Sequence, residues 1–230
     1  MTKPAGAVQV SDTAGIKKIS FRRSSRPWDN LDHADNPSLY ELIAIGASTG
    51  GTEAIREILQ VMPPSAPAIV ITQHIPEGFS EVFARRLNSI TKMNVCHVEG
   101  EEQICEGNVY IAPGNRHLSV FRRNDKLICR LTAGEAVNYH IPSVDVLFRS
   151  VARHVGKSAI GVMLTGMGSD GADALREMKQ AGALTIAQDE QTSVVWGMPG
   201  EAVSRGGVDI VLPLNEISTK ILRASRRLAA

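Results

Sequence analysis

The sequence predicts an α/β domain: a doubly wound, mostly parallel sheet flanked by helices, with a small antiparallel hairpin. Three observations carry that expectation. Short apolar runs of strand length alternate with amphipathic helical stretches from Leu42 almost to the C-terminus. Several of those runs end in glycine-rich turns that lead directly into a helix, as parallel β-α units require. One pair of runs is instead separated only by a short polar turn and reads as a hairpin.

The first strand covers residues 42–45 and enters the turn Gly46-Ala47-Ser48-Thr49-Gly50. The helix that follows gathers Ala54, Ile55, Ile58, Leu59 and Met62 on one face. The apolar run 68–73 is a second strand, ending at His74, and a helix over about 78–90 is expected to turn Phe79, Val82, Phe83 and Leu87 inward. Residues 94–98 and 109–112 read as strands, and 117–121 and 127–131 flank the hairpin turn Arg122-Arg123-Asn124-Asp125. Helical spacing resumes after Pro142-Ser143, with Val144, Leu147, Phe148, Val151, Ala152 and Val155. Strand 159–164 leads into a glycine-rich loop at 165–171, then a helix to about residue 181 that stops at Gly182. Strands at 183–187 and 208–212, and a last helix with Ile217, Ile221, Leu222 and Leu228 inward, complete a folded domain at 39–230.

Residues 1–38 are rich in Ser, Asp, Lys, Arg and Pro and lack sustained periodicity. They read as a disordered tail, because so few apolar groups cannot offset the cost of ordering the chain. The basic cluster Lys17, Lys18, Arg22 and Arg23 offers a separate regulatory partner a docking point.

Composition excludes several classes of function. Apolar content of 43% and charged content of 21% are ordinary for a globular protein. A net charge of +1 gives no field for nucleic acid or for an anionic membrane surface. No apolar stretch is long enough to span a bilayer, and none resembles a secretory signal. Cys96, Cys105 and Cys129 are odd in number and lack metal-type spacing, which fits reduced thiols in the cytoplasm. No His/Cys cluster calls for a metal or cofactor.

Three polar residues share one address, the carboxyl end of an apolar strand: Ser48, His74 and, in the loop after strand 159–164, Asp170. Open α/β sheets bring such ends together in a crevice. Serine, histidine and aspartate are the members of a nucleophile, base and orienter set. Gly46 to Gly50 also satisfies the G-x-S-x-G pattern of a nucleophile on a tight turn. Blander readings fit the same residues, with Ser48 or Thr49 capping the following helix and Asp170 capping the one after it. A phosphate-binding turn of a short-chain dehydrogenase is a third reading of GASTGG. That enzyme class places Lys four residues after Tyr, whereas Tyr40, Tyr110 and Tyr139 are followed at that distance by Ala44, Gly114 and Ser143. Ser48 also breaks the dinucleotide fingerprint at its second glycine. The order Ser, His, Asp differs from the Ser, Asp, His order of α/β-hydrolases.

The segments GASTGGTEAIREIL, ITQHIPEGF, VYIAPGNRHL, PSVDVLFRSVA, GVMLTGMGSDGADAL, GALTIAQDE and VVWGMPGEAV together resemble the catalytic domain of the chemotaxis protein-glutamate methylesterases, the CheB family. The resemblance runs from Leu42 to the last helix. It implies a doubly wound α/β domain that hydrolyses glutamate γ-methyl esters on chemoreceptors, releases methanol, and in some members deamidates receptor glutamines. It puts the nucleophile on Ser48, the base on His74, the orienting acid on Asp170 and an oxyanion-holding N–H on Met167, with Thr49 and His140 beside the substrate cleft. It implies no metal or cofactor, a methylated chemoreceptor as protein partner, and neither nucleic-acid binding nor membrane insertion. A substrate carried on a long receptor helix calls for a shallow, open cleft.

Two departures are visible. Tyr139 stands where the family pattern RHxPSVD has arginine. The residues before the core are too few for the receiver domain of the best-known members, so control by phosphorylation in cis is not expected. Two rival functions remain: a serine esterase of the same fold acting on another protein or a small ester outside chemotaxis, and a non-catalytic binding module.

Overall fold

A computed structural model of the chain describes residues 40–225. The expected tail at 1–38 and Leu228 of the last helix lie outside the described residues. Seven parallel strands form the main sheet: β1 (Leu42–Ala47), β2 (Ala68–Gln73), β3 (Asn94–His97), β5 (Asn108–Ile111), β8 (Ala159–Met163), β9 (Leu184–Gln188) and β10 (Ile210–Leu212). Their order is β10-β9-β8-β1-β2-β5-β3. β4 (Glu101–Gln103), β6 (His117–Arg123) and β7 (Lys126–Thr132) make a separate antiparallel sheet, ordered β4-β7-β6. The chain leaves β1 toward β2 and comes back on the other side of β1 with β8. The crevice between β1 and β8 is therefore the topological switch point, where open α/β sheets hold their sites.

β1 is buried on both faces, and its period-two alternation feeds two cores. Ile43, Ile45 and Ala47 pack with Ile55, Ile58 and Leu59 of α1 (Gly51–Val61), Phe83 and Leu87 of α2 (Glu77–Ile90), and Ile217 and Ile221 of α6 (Leu214–Ser225). Leu42 and Ala44 point the other way, into a core with Leu147, Phe148 and Val151 of α3 (Val144–His154) and Leu175 and Met178 of α4 (Ala172–Gln180). Leu118, Val120, Leu127 and Cys129 of the small sheet cap that second core. Each fully buried Leu or Ile in these layers contributes about 1.5–3 kcal/mol.

Several elements differ from the sequence expectation. On α2 the buried residues are Ser80, Phe83, Ala84 and Leu87, while Phe79 and Val82 are 64% and 52% exposed. The helix is turned so that the Ser80 hydroxyl faces inward, where it meets His97 Nε2 at 3.1 Å and accepts from Gly114 N–H at 3.2 Å. β4, with the polar sequence Glu-Glu-Gln, and α5 (Gly197–Ser204), with two glycines and a proline, have no periodic signal and were not expected. The hairpin turn is tighter than anticipated: Asn124 and Asp125 alone make it, at φ 49° and 61°. Leu222 is only half-buried.

Candidate active site

The alternation that builds the core also aims the site. Ser48 follows β1 in the same parity as Leu42 and Ala44, and His74 follows β2 in the parity of Ala68 and Val70, so both side chains emerge on the α3 face. The β1–β2 register ends at Ala47 opposite Gln73, and His74 N–H donates to Ala47 C=O at 3.0 Å, which sets Ser48 and His74 side by side. Gly50 takes φ 82° at the N-cap of α1, a backbone state that favours glycine, and no side chain caps that helix. The capping readings of Ser48 and Thr49 therefore fall.

Asp170 does not cap the helix that follows it either; the N-cap of α4 is Gly171. Its carboxylate reaches across to α3 instead. There it accepts from Val144 N–H at 2.6 Å, Asp145 N–H at 3.3 Å and the Ser143 hydroxyl at 2.8 Å. The Asn138 amide donates to it at 2.8 Å, and His74 Nε2 lies 2.9 Å from its Oδ2. Burial alone would raise this carboxyl, but the bonds from His74, Asn138, Ser143 and Val144 outweigh desolvation and hold it below the usual carboxylate range. The positive end of α3 works in the same direction. An ionised Asp170 only accepts, so the proton on this bond belongs to His74 Nε2. That leaves His74 Nδ1 as the basic nitrogen; it is buried with no hydrogen-bond partner. The His74 and Asp170 side chains are 8% and 1% exposed.

The structure thus joins two of the three candidate residues directly and brings the third alongside. Among the described residues no hydrogen bond links Ser48 Oγ to the His74 ring, a pairing that often tightens only when substrate binds. His140 stacks on His74, ring centroids 3.7 Å apart and planes 12° from parallel. Burial, and secondarily the neighbouring His74, push the His140 imidazole down against the opposing pull of Asp170. Met167 sits in the loop between β8 and Asp170, and no acceptor among the described residues takes its N–H. Its neighbour Gly166 lies against Ser48, because a Cβ added there would stand 2.8 Å from Ser48 Cβ. Thr49 is exposed, and its carbonyl accepts from Thr165 Oγ1 at 2.9 Å.

Sequence reasoning missed three supporting residues. Gln73 Nε2 donates to the carbonyls of both Ser48 and His74, at 2.8 and 3.0 Å, and ties the two segments together. Its Oε1 is buried without a partner, a cost of about 1–3 kcal/mol retained at the site. Asn138 and Ser143 hold Asp170 from the loop before α3. A polar residue ending the apolar strand β2 was the one visible signal for Gln73; Asn138 and Ser143 had none beyond their turn chemistry.

Ser48 itself is half-buried, while the His74 and Asp170 side chains are almost fully covered. Two clefts of about 390 and 430 Å³ lie at the opposite, amino-terminal edge of the sheet, around Tyr40, Ala68 and Leu184, and touch none of these residues. Among the described residues no group of three or more His, Cys, Asp or Glu is arranged to hold a metal ion, and no helix is long and apolar enough to cross a membrane.

This geometry has known relatives. Protein-glutamate methylesterase/protein-glutamine glutaminase of Hydrogenovibrio crunogenus is 57% identical over 183 residues, 80% of this chain and 49% of the relative. The protein of the same name from Pectobacterium atrosepticum is 51% identical over 199 residues, 86% of this chain and 57% of the relative. The crystal structure of the Thermotoga maritima CheB methylesterase catalytic domain superposes with a TM-score of 0.78 at 37% identity, covering 80% of this chain and 98% of that one. The chain spans about half the length of the curated relatives it matches. The profile described as CheB methylesterase matches residues 43–221, and the chain belongs to that family.

Proposed function

We propose that this chain is a cytoplasmic serine hydrolase that removes the methyl group from glutamate γ-methyl esters of chemoreceptors. The observation that carries the reading is the His74–Asp170 bond of 2.9 Å at the switch point, beside the turn that presents Ser48. The names of its relatives support the substrate class and the second activity, deamidation of receptor glutamines. The free thiols of Cys105 and Cys129 fit a reducing compartment.

In this reading Ser48 Oγ attacks the γ-carbonyl carbon while His74 Nδ1 takes its proton, and the Nε2–H bond to Asp170 stabilises the imidazolium that forms. The tetrahedral oxyanion forms on the side of the Met167 N–H. The amino end of α1, which opens directly after the Ser48 turn, adds a favourable field. Collapse breaks the C–O bond, His74 protonates the methoxide oxygen, and methanol leaves an acyl-Ser48. Water, deprotonated by His74, then attacks the acyl carbon and releases glutamate with Ser48 restored. A glutamine substrate follows the same path with ammonia leaving. Thr49 and His140 line the approach, and a docking partner for the segment before the core belongs to the same proposal.

A serine-directed fluorophosphonate tests the assignment of nucleophile and base. The expected result is modification of Ser48 in the wild type, slowed by about a hundredfold or more in His74→Gln. Modification at another residue, or undiminished reaction in His74→Gln, contradicts it, and complete inertness favours the binding-module alternative.

A further inference from the structure

Three large hydrophobic side chains are the most exposed of their kind among the described residues: Tyr139 at 99%, Met167 at 72% and Val194 at 70%. They come from three different loops, yet each adjoins the catalytic set. Tyr139 precedes His140, whose ring stacks on His74. Met167 follows Gly166, which lies against Ser48. Val194 packs over Gly50, where an added Cβ would stand 2.7 Å from Val194 Cβ.

Tyr139 is the most costly of the three. Asn138 and Tyr139 form a two-residue turn with φ 52° and 67°, closed by the Val137 and His140 backbone pair at 3.0 and 3.2 Å. Asparagine and glycine tolerate that conformation; for tyrosine it is strained. The turn is also fixed rather than loose, because Asn138 donates to Asp170 at 2.8 Å and to Asp145 at 2.7 Å. An aromatic ring is thus held in solvent, on a strained backbone, one residue from the stacked pair of histidines. No contact within the described chain offsets this, so the return comes from something that covers the ring.

The substrate chemistry says what passes there. The reacting carbon of a glutamyl γ-ester lies only about 4 Å from its own Cα. For that carbon to reach Ser48 Oγ, the polypeptide carrying it has to pass close to the loops that hold these three side chains. We propose that Tyr139, Met167 and Val194 form an apolar rim that grips the substrate polypeptide on either side of the reacting glutamyl group. Tyr139 is its specificity-determining member and selects apolar neighbours. The inference rests on the methylesterase reading and deepens it.

The test uses the full chain with two substrates, a methylated chemoreceptor followed by methanol release and p-nitrophenyl acetate, which is too small to span the rim. Tyr139→Ala is expected to lower kcat/KM on the receptor about tenfold more than on the acetate, with the loss in KM. Tyr139→Phe should restore most of it. Tyr139→Gly, which relieves the turn, should be at least as stable as wild type yet as impaired as Tyr139→Ala. Equal losses on both substrates would mean that Tyr139 acts through His140 and His74, and would overturn the rim; so would an unchanged KM on the receptor. Wild type that cleaves the acetate and releases no methanol overturns the methylesterase reading and the rim with it.

Discussion

Asp170 is where the site's hydrogen bonds converge, with donors from His74, Asn138, Ser143, Val144 and Asp145 all reaching its two oxygens. Its carboxyl is held below its ordinary value, so its contribution to stability is complete above the unfolded-state pKa of about 3.9 and is lost as pH falls through the lower folded value. Urea midpoints of wild type should therefore drop steeply below about pH 4, and Asp170→Asn should be less stable at neutral pH but flatter in that acid range. His140 works in a different window. Its imidazole is pushed down by burial, so below its unfolded pKa of about 6.5 the unfolded chain binds protons more readily and stability declines as pH falls. His140→Phe keeps an aromatic ring against His74 and should remove that part of the pH dependence in the same urea series. Ser48, His74 and Asp170 were legible in the sequence because each follows an apolar strand. Asp170's service to α3 was not, because a helix cap supplied from 26 residues away leaves no local spacing to read.

The element that assembles the site is the amino end of α3, and its seat depends on what is missing from β1. A Cβ at Gly46 would stand 2.3 Å from Val144 Cγ1 and 3.1 Å from Phe148 Cζ. Gly46→Ala must push α3 outward, and with it the Val144 N–H and Ser143 hydroxyl that hold Asp170. We expect about 1–3 kcal/mol of destabilisation in urea unfolding. At temperatures where the variant is fully folded, p-nitrophenyl acetate hydrolysis should still fall at least about tenfold; a folded variant with wild-type rate would show that α3 does not set the geometry. The strands and helices with clear period two or 3.6 were read to within a residue or two. β4 and α5 were missed because polar and glycine-rich sequences are held there by tertiary pairing, β4 by its antiparallel register with β7. Phe79 and Val82 were misplaced because apolar spacing marks a broad stripe, while the partner surface decides which edge of it is covered.

At the scale of the molecule, two cores share the one seven-stranded sheet, and every strand that ends at the site is buried in both. Cooperative unfolding follows from that arrangement. In a Trp28→Phe background, fluorescence of Trp196, whose indole N–H donates to Gln188 C=O at 3.0 Å, should lose its native signal at the same urea concentration as the far-ultraviolet circular dichroism. Separate transitions would show that the loops around the site open independently of the sheet. The same connectivity assembles the candidate site, since only the return of the chain beside β1 brings the loop of Asp170 to the strand ends of Ser48 and His74. The central claim is that this crevice cleaves a glutamyl methyl ester with Ser48 as nucleophile. Methanol release from a methylated chemoreceptor, compared between wild type and Ser48→Ala, tests it most directly. Steady release by wild type that falls at least about a thousandfold in Ser48→Ala is the predicted result. Release that persists in Ser48→Ala would contradict the assignment of the nucleophile, and none from wild type would contradict the assignment of the substrate.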